Sequence, residues 1–294
     1  SHDVVARLRR LLATREVGHA GTLDPMATGV LVVAVGEATK LVPYLTAADK
    51  TYEAELTLGV ETDTLDAQGT PVRHATPGAA LLAELAAGGG PSLAAALEAE
   101  QRRGLQVPPA FSAIKVDGER AHARARRGDA VDLAPRPVAV RHLELLETAA
   151  TPAPRLRVRL TVAKGYYVRA FARDLAASLG TAAHLTALRR VASGSFDLGG
   201  ALLLDPLPGP DAARGAVVSL AAAAQRVLPS VTLDAETTAA ARAGRVLHAR
   251  DLVPPGPYAL LDEAGGLVAI GEATAPGVGR VLRGFRVSAS SAGP

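Results

Sequence analysis

The stretch from residue 18 to residue 36 constrains the fold of this chain more than any other. Its first half is rich in turn formers, with three glycines around the dipeptide Asp24-Pro25. Its second half, residues 30–35, is an unbroken apolar run that ends at Gly36. Because a short apolar run bounded by glycine is typical of a buried strand, the sequence predicts a tight polar loop anchored directly on a core strand.

Asp24 is the only acid in this loop, and His19 lies five residues before it. Asp and Pro both favour turns, so the dipeptide by itself indicates a structural turn. A carboxylate on a loop that is fixed to a rigid strand is also a usual place for catalysis. The local pattern leaves both interpretations open and favours the turn.

The composition excludes several kinds of site. The 294 residues contain no cysteine, which excludes disulfides, thiolate zinc sites and cysteine nucleophiles. The seven histidines include no pair at the i, i+4 spacing of a helical metal site, so we expect neither metal nor cofactor. No run approaches the roughly 18 apolar residues of a membrane span, and no signal peptide pattern is present. We therefore expect a cytoplasmic protein.

The placement of charge says more than the net charge, which is only +3. Four arginines fall between residues 120 and 127, and Glu119 is the only acid beside them. Such a cluster is typical of a solvated helix face, and it is equally typical of a surface that binds phosphate groups. Both interpretations stay open at this point.

Hydrophobic periodicity predicts an α+β protein. Residues 50–58, K-T-Y-E-A-E-L-T-L, alternate between apolar and polar side chains from Tyr52 onward and predict a half-buried strand. Gly180 follows a predicted helix as its natural C-cap. The other predicted elements are helices over residues 1–12, 37–45, 92–103, 169–179, 211–227 and 235–243, and strands over residues 111–116, 138–146 and 156–162.

The last part of the chain has a different texture. From Ser230 onward, short apolar segments alternate with Pro and Gly turns, at residues 258–261, 267–270 and 281–287. This pattern predicts a compact β-rich domain of about 65 residues. A chain of 294 residues also exceeds the usual size of one domain. We therefore predict two domains, over residues 1–228 and 229–294.

Four blocks of sequence carry a family resemblance. Residues 18–40, G-H-A-G-T-L-D-P-M-A-T-G-V-L-V-V-A-V-G-E-A-T-K, closely resemble the signature of the bacterial tRNA pseudouridine synthase B family. Three further blocks resemble family motifs in the same order: D-K-T-Y-E at residues 49–53, P-P-A-F-S-A-I-K-V-D-G-E-R-A-H-A-R-A-R-R-G at residues 108–128 and A-K-G-Y-Y-V-R at residues 163–169. The resemblance covers most of residues 1–195.

The resemblance implies both a fold and an activity. The fold is a pseudouridine synthase catalytic domain, built on a mixed, mainly antiparallel sheet flanked by helices, with a small C-terminal PUA-like β-barrel that binds RNA. The activity is the isomerisation of uridine to pseudouridine at position 55, in the T loop of tRNA, by a monomer that needs no obligate protein partner. Family members carry a strand with a Lys-Pro motif before the helix that starts here at Ser1, and we expect the domain over residues 1–228 without it.

The resemblance also assigns catalytic roles. Asp24 matches the catalytic carboxylate, which could attack C6 or C1′ of the uridine or remove the C2′ proton. All three routes require an ionised carboxylate, and a cation at Arg169 would hold it so. The uridine must be flipped out of its loop. Tyr52 matches a tyrosine that stacks on the flipped base, and Tyr167 matches a second tyrosine of the active site.

The remaining matches concern RNA. His19 matches a histidine that packs against the RNA near the flipped base. Lys40, Lys115, Arg120 and Arg124 are candidate contacts to phosphate groups, which should make binding sensitive to salt. Two other functions stay open: a guide-RNA-dependent pseudouridine synthase of the archaeal and eukaryotic type, and a non-catalytic RNA-binding or chaperone protein.

Overall fold

The computed structural model describes residues 1–116 and 118–286 and confirms the α+β class. The described residues form a 3₁₀ helix at Gly36–Leu41. Their α-helices are α1 (His2–Leu11), α2 (Val42–Ala47), α3 (Ala79–Ala86), α4 (Pro91–Gln101), α5 (Ala121–Arg126), α6 (Val168–Ser178), α7 (Pro210–Gly215), α8 (Leu220–Gln225) and α9 (Ala235–Arg242).

The strands are more numerous than the sequence predicts, and several contain only two residues. In chain order they are β1 (Val17–His19), β2 (Thr28–Gly29), β3 (Val33–Val35), β4 (Lys50–Leu58), β5 (Val60–Thr62), β6 (Pro71–His74), β7 (Leu105–Gln106), β8 (Lys115–Val116), β9 (Glu119–Arg120), β10 (Arg136–Pro137), β11 (Val140–Ala149), β12 (Arg155–Val162), β13 (Ala183–Ser193), β14 (Phe196–Asp197), β15 (Ser230–Thr232), β16 (Leu247–His248), β17 (Tyr258–Leu261), β18 (Leu267–Ala275) and β19 (Val278–Gly284).

The chain divides into two compact units, each assembled from separate segments. The first unit comprises residues 1–22, 31–48 and 194 onward, and the second comprises residues 23–30 and 49–193. The second unit therefore holds the Asp24 half of the opening stretch. The functional division into residues 1–228 and 229–294 stays a prediction.

The second unit is built on a mixed, mainly antiparallel sheet. Four long strands lie in the order β11-β12-β4-β13, each antiparallel to its neighbours. The short strand β2 pairs with β13 in parallel. Strand β4 has the predicted bounds, and its alternation puts Ala54, Leu56 and Leu58 on the buried face. The strands predicted over residues 138–146 and 156–162 are confirmed as β11 and β12, which form an antiparallel pair.

Helix α6 covers the buried face of this sheet. Its apolar stripe, which includes Phe171 and Leu175, is fully buried against core residues of the strands such as Leu160 and Leu185. Burial of each of these large side chains contributes about 1.5–3 kcal/mol. Gly180 has a φ of +67° just after the helix, as expected of a C-cap glycine. The helix is therefore held firmly at the point where its first residues enter the site described below.

Helices α3 and α4 also pack into this core, through Leu81, Leu85 and Leu93. In the part of the chain that the structure describes, no single helix is long and apolar enough to span a membrane. Only α3 and α4 taken together, across a bend of 87°, have the necessary length and composition.

The first unit contains a five-stranded sheet in the order β15-β17-β18-β19-β16. Strands β15 and β17 are parallel, and the other neighbours are antiparallel. Helix α9 packs with these strands around a core that includes Leu233, Leu247 and Leu260. The β-rich C-terminal region is thus confirmed and is consistent with a PUA-like domain. The predicted strand over residues 281–287 is present as β19, and Val287 lies outside the described residues.

The apolar run over residues 30–35 is not one strand, so this prediction is wrong in its extent. The backbone N–H of Val30 donates to the carbonyl oxygen of Arg190 at 2.8 Å. Residues 33–35 pair instead with β1, in the register Val35 with Val17. The run is interrupted because its two ends hydrogen-bond to different strands.

Three other elements differ from the sequence-based expectation. The predicted strand over residues 111–116 is reduced to β8, because the backbone around Ser112 bonds locally to Ala110 and His122. Strands β8 and β9 pair with each other; the Asp117-Gly118 dipeptide between them is typical of a hairpin turn, and Asp117 lies outside the described residues. The predicted helix over residues 211–227 is broken into α7 and α8, because Ser219 caps a new helix. Strand β13 was not predicted.

The burial of Lys50, the first residue of β4, can be tested by its effect on stability. Lys50 is only 7% exposed, and burial, aided by the positive charges of Arg190 and Lys164, lowers its pKa from 10.5 to about 8. The unfolded chain therefore binds this proton more tightly than the folded chain, so the penalty is complete below pH 8 and is relieved as the pH rises toward 10.5. One pKa unit corresponds to about 1.4 kcal/mol.

We expect Lys50→Met to be more stable than the wild type at pH 7, by at most about 3 kcal/mol. The difference should shrink as the pH rises from 8 to 10. Denaturant unfolding of both proteins at several pH values measures it, with the exposed Lys115→Met as the control. Stability curves for Lys50→Met and the wild type that stay parallel across this range would contradict the assignment.

Candidate active site

The backbone of Asp24 forms a turn, as its sequence context predicts. The N–H of Ala27 donates to the carbonyl oxygen of Asp24 at 2.9 Å, and Met26 and Ala27 pack against the core of the second unit. This hydrogen bond uses the backbone of Asp24 and not its side chain, which is 30% exposed. The structural and the functional interpretations of Asp24 are therefore compatible.

The Asp24 carboxylate is held by a buried guanidinium. Arg169 donates from Nε to Asp24 Oδ2 and from Nη2 to Asp24 Oδ1, both at 3.0 Å. Two parallel bonds from a planar fork fix the orientation of a carboxylate as well as its distance. Arg169 is the second residue of α6, and its side chain is 7% exposed. The pair thus has a buried cation behind and a partly open carboxylate in front.

Arg169 is itself held by two backbone carbonyl groups. Its Nη1 donates to the carbonyl oxygen of Thr64 at 2.9 Å, and its Nη2 donates to that of Phe111 at 3.0 Å. These contacts satisfy donors that would otherwise be buried without partners, which is costly for a charged group. Three separate chain segments therefore converge on the residue that orients Asp24.

Asp66 is a second acid beside Arg169 that the sequence analysis did not single out. Its Oδ2 lies 3.8 Å from Arg169 Nε, and its Oδ1 accepts from Thr64 Oγ1 at 2.7 Å and from the backbone N–H of Gln68 at 3.0 Å. The residue is buried. Its only signal in the sequence is a polar loop with turn formers, which many surface loops share.

The two predicted tyrosines lie near this pair. Tyr52 is half-buried on β4, and Tyr167 precedes α6. Burial raises the pKa of both hydroxyls, and the negative charge of Asp24 raises each of them further. Both are therefore protonated at neutral pH. Tyr167 is fixed through its backbone, because its N–H donates to Gln106 Oε1 at 2.9 Å and its carbonyl oxygen accepts from Gln106 Nε2 at 3.2 Å.

The Asp24 turn is attached to the sheet at its far end. Thr28 and Gly29 pair in parallel with Arg189 and Arg190 of β13. Gly29 has a φ of +95°, and a Cβ atom at this position would lie 2.1 Å from the carbonyl oxygen of Arg190. Any other residue would collide with this strand, so the close approach requires glycine.

Three of the predicted phosphate contacts lie close together in the sequence of the second unit, on strands β8 and β9 and on helix α5. Lys115 and Arg120 are exposed on the paired strands β8 and β9, and Arg124 is half-buried on α5. Arg127, by contrast, forms ion pairs with Glu119 and Asp129. Neighbouring acids therefore neutralise part of the positive charge of the arginine cluster. Its binding to RNA stays a prediction.

The other two predicted RNA contacts lie in the first unit. The ring of His19 meets that of His2 edge to face, with centroids 5.7 Å apart. The ammonium group of Lys40 donates to Glu37 Oε2 at 2.6 Å and to the carbonyl oxygen of Gly284 at 3.0 Å, over the ring of Phe285. Lys40 is thus engaged inside its own unit, and its contact with phosphate stays a prediction.

This geometry suits covalent or proton-transfer chemistry at one carboxylate. The guanidinium of Arg169 orients the carboxylate of Asp24, which stays partly exposed, and a carboxylate can act as a nucleophile or a base. The protonated tyrosines can pack against a ring or donate a hydrogen bond. All four predicted catalytic residues, Asp24, Tyr52, Tyr167 and Arg169, lie within the second unit.

Comparison with known proteins identifies the family that this chain resembles. The model of the TruB family pseudouridylate synthase N-terminal domain matches residues 9–168. The chain is 44% identical over 271 residues to tRNA pseudouridine synthase B of Nocardia farcinica, covering 92% of this chain and 84% of the relative. It is 41% identical over 280 residues to the protein of that name from Thermobifida fusca, covering 92% of this chain and 90% of the relative.

Among solved structures, the chain resembles one from a Cbf5-Nop10-Gar1 complex. The TM-score is 0.67 at 24% identity, and the match covers 97% of this chain and 80% of the other. At this level of identity the likeness concerns the fold alone.

Gly29→Ala tests the attachment of the Asp24 turn. The added Cβ would push β2 away from β13, so we expect a loss of at least about 1–3 kcal/mol in stability from backbone strain and a larger relative loss of activity. Thermal unfolding and turnover measure the two effects. Gly104→Ala, where a Cβ meets nothing within 4 Å, is the matched control. Wild-type stability in Gly29→Ala would contradict the required close approach.

Proposed function

The chain belongs to the TruB family of pseudouridylate synthases, and from this membership we propose that it isomerises one uridine of tRNA to pseudouridine, at position 55 in the T loop. The observation that carries the proposal is the bidentate pair of Asp24 and Arg169, with Tyr52 and Tyr167 beside it. An RNA-binding protein without catalytic function has no need of a partly exposed carboxylate that is oriented in this way.

The reaction needs one carboxylate and no external reactant. The C1′–N1 glycosidic bond of the uridine breaks, the uracil ring turns, and C5 bonds to C1′. The proton lost from C5 is balanced by one gained at N1, so the mass of the RNA does not change. Asp24 acts on the nucleoside in its ionised form, and Arg169 keeps that form oriented throughout.

The uridine must leave its stack before it can reach Asp24. Flipping costs a few kcal/mol of lost stacking, and stacking on an aromatic side chain returns about 1–3 kcal/mol per base. We assign this role to Tyr52, which is half-buried on a central strand of the sheet. Tyr52 is close enough to Asp24 for the negative charge of the carboxylate to raise the pKa of its hydroxyl. Tyr167 lies at the start of α6, where the charge of Asp24 also acts on its hydroxyl.

The substrate and the setting belong to the proposal. The name tRNA pseudouridine synthase B, which both sequence relatives carry, supports tRNA rather than a guide-selected RNA as the substrate. We propose that the protein acts in the cytoplasm as a monomer without a protein partner. Exposed Lys115 and Arg120, together with Arg124, contribute phosphate contacts.

Asp24→Asn should abolish turnover while tRNA binding survives, because an amide is neither a nucleophile nor a base. The assay offers a bare T-stem-loop to the lone protein and detects pseudouridine by carbodiimide labelling. Asp211→Asn, which removes an exposed acid of the first unit, should keep full activity. Substantial pseudouridine formation by Asp24→Asn would refute the catalytic assignment. A wild type that binds the stem-loop but never converts a uridine would refute the proposed activity.

Tyr52→Ala should lose most activity with the fold intact, because the flipped base loses its stacking partner. By the value of one stacking contact, the loss is about 5- to 150-fold. Tyr52→Phe keeps the ring and should stay within about tenfold of the wild type. Single-turnover rates compare the three proteins, and circular dichroism checks their fold. Wild-type rates in Tyr52→Ala would remove this residue from the site.

A further inference from the structure

Arg190 is a buried charge with no part in the chemistry described so far. It is the largest of the fully buried side chains among the described residues, with 1% exposure. Burying a cation is expensive unless it is well bonded. Its charge also acts unfavourably on the buried Lys50, whose pKa it helps to lower. Stability alone is thus a poor reason for a guanidinium at this position.

Arg190 contacts the far end of the Asp24 turn twice. Its Nε donates to the carbonyl oxygen of Val30 at 2.7 Å, and its own carbonyl oxygen accepts from the N–H of Val30 at 2.8 Å. Its backbone also lies in parallel register with Gly29. The main chain of Arg190 therefore pairs with Gly29 and Val30, and its side chain bonds Val30 as well. These two residues follow Asp24 by five and six positions.

Arg190 also contacts Tyr52. The two residues lie opposite each other in the antiparallel pair of β13 and β4. Burial raises the pKa of the Tyr52 hydroxyl, whereas the positive charge of Arg190 and a hydrogen bond between the two side chains act to lower it. Because directly opposite residues of an antiparallel pair project from the same face of the sheet, the two side chains are neighbours.

We propose that Arg190 is a positioning residue, whose guanidinium joins the end of the Asp24 turn to Tyr52 and so sets the carboxylate at the right distance from the stacked base. The inference rests on the proposed function, since it concerns the uridine that Tyr52 would hold. A planar guanidinium offers donors in several fixed directions, so it can bond a carbonyl oxygen on one side and a hydroxyl on another. A lysine ammonium at this depth cannot reproduce that fixed span.

The first test separates rate from binding. Arg190→Met fills a similar space without the donors, and we expect kcat to fall about 100-fold, as for a misplacement of about 1 Å, while KM for the T-stem-loop stays within about twofold of the wild type. Arg189→Met is the matched control, because Arg189 pairs with the same turn but its side chain is exposed. It should keep the wild-type kcat. An unchanged kcat in Arg190→Met would overturn the proposal.

The second test asks whether Arg190 acts through the hydroxyl of Tyr52. Tyr52→Phe removes only that hydroxyl and should lower kcat by about two- to tenfold. In Arg190→Met the same change should have no further effect, because the bond is already gone. Effects on kcat that multiply independently in the double variant would overturn the proposal, since a purely structural arginine gives that result.

Arg190→Lys is a second variant that tests the proposal if Arg190→Met does not fold. It keeps the charge and should fold, with kcat between those of Arg190→Met and the wild type, and with a smaller effect of Tyr52→Phe than in the wild type. If Arg190→Lys has the full wild-type kcat and the full effect of Tyr52→Phe, the proposal is wrong. An active wild type with any of these contrary results refutes only the role of Arg190, whereas an inactive wild type refutes the proposed function as well.

Discussion

The forked bond between Arg169 and Asp24 is the interaction on which the rest of the site depends. Its two 3.0 Å contacts orient the carboxylate, and the carbonyl groups of Thr64 and Phe111 orient the guanidinium. A buried ion pair of this kind adds little net stability, yet removal of one partner is strongly destabilising. The loops around residues 64 and 111 therefore hold Arg169 through their backbone carbonyl groups rather than through their side chains.

Local periodicity was enough to predict the framework of the second unit. The alternation of β4, the β11–β12 pair and helix α6 with its glycine cap were all predicted within a few residues. Each of these depends on neighbours in the sequence and on one buried face. The run over residues 30–35 was predicted wrongly, because apolar character indicates burial but does not say which strand will be the partner. The breaks within residues 111–116 and 211–227 arise likewise from local hydrogen bonds and a cap.

The site was predictable only in part, and only from the family resemblance. Asp24 alone indicated a turn, and nothing in the spacing of the chain relates it to Arg169. The structure brings these two together and adds Asp66 and Arg190, which periodicity could not single out. Asp66 resembles any other acid in a polar loop. Arg190 follows another arginine, and the side chains of these two neighbours face opposite sides of β13. Charge that is buried by tertiary packing leaves no local signal.

The residues that contact each other in the site are far apart in the sequence, which determines how late in synthesis the site can form. Asp24 and Arg169 are 145 residues apart, and Val30 and Arg190 are 160 residues apart. Contacts of such range are made only after a long loop has closed. During synthesis, a growing chain that ends before α6 carries the carboxylate without its cation, and one that ends before β13 leaves the turn without its anchor. The segment that carries Asp24 therefore completes its ion pair and its attachment to the sheet only after chain segments about 145 and 160 residues further on have been made.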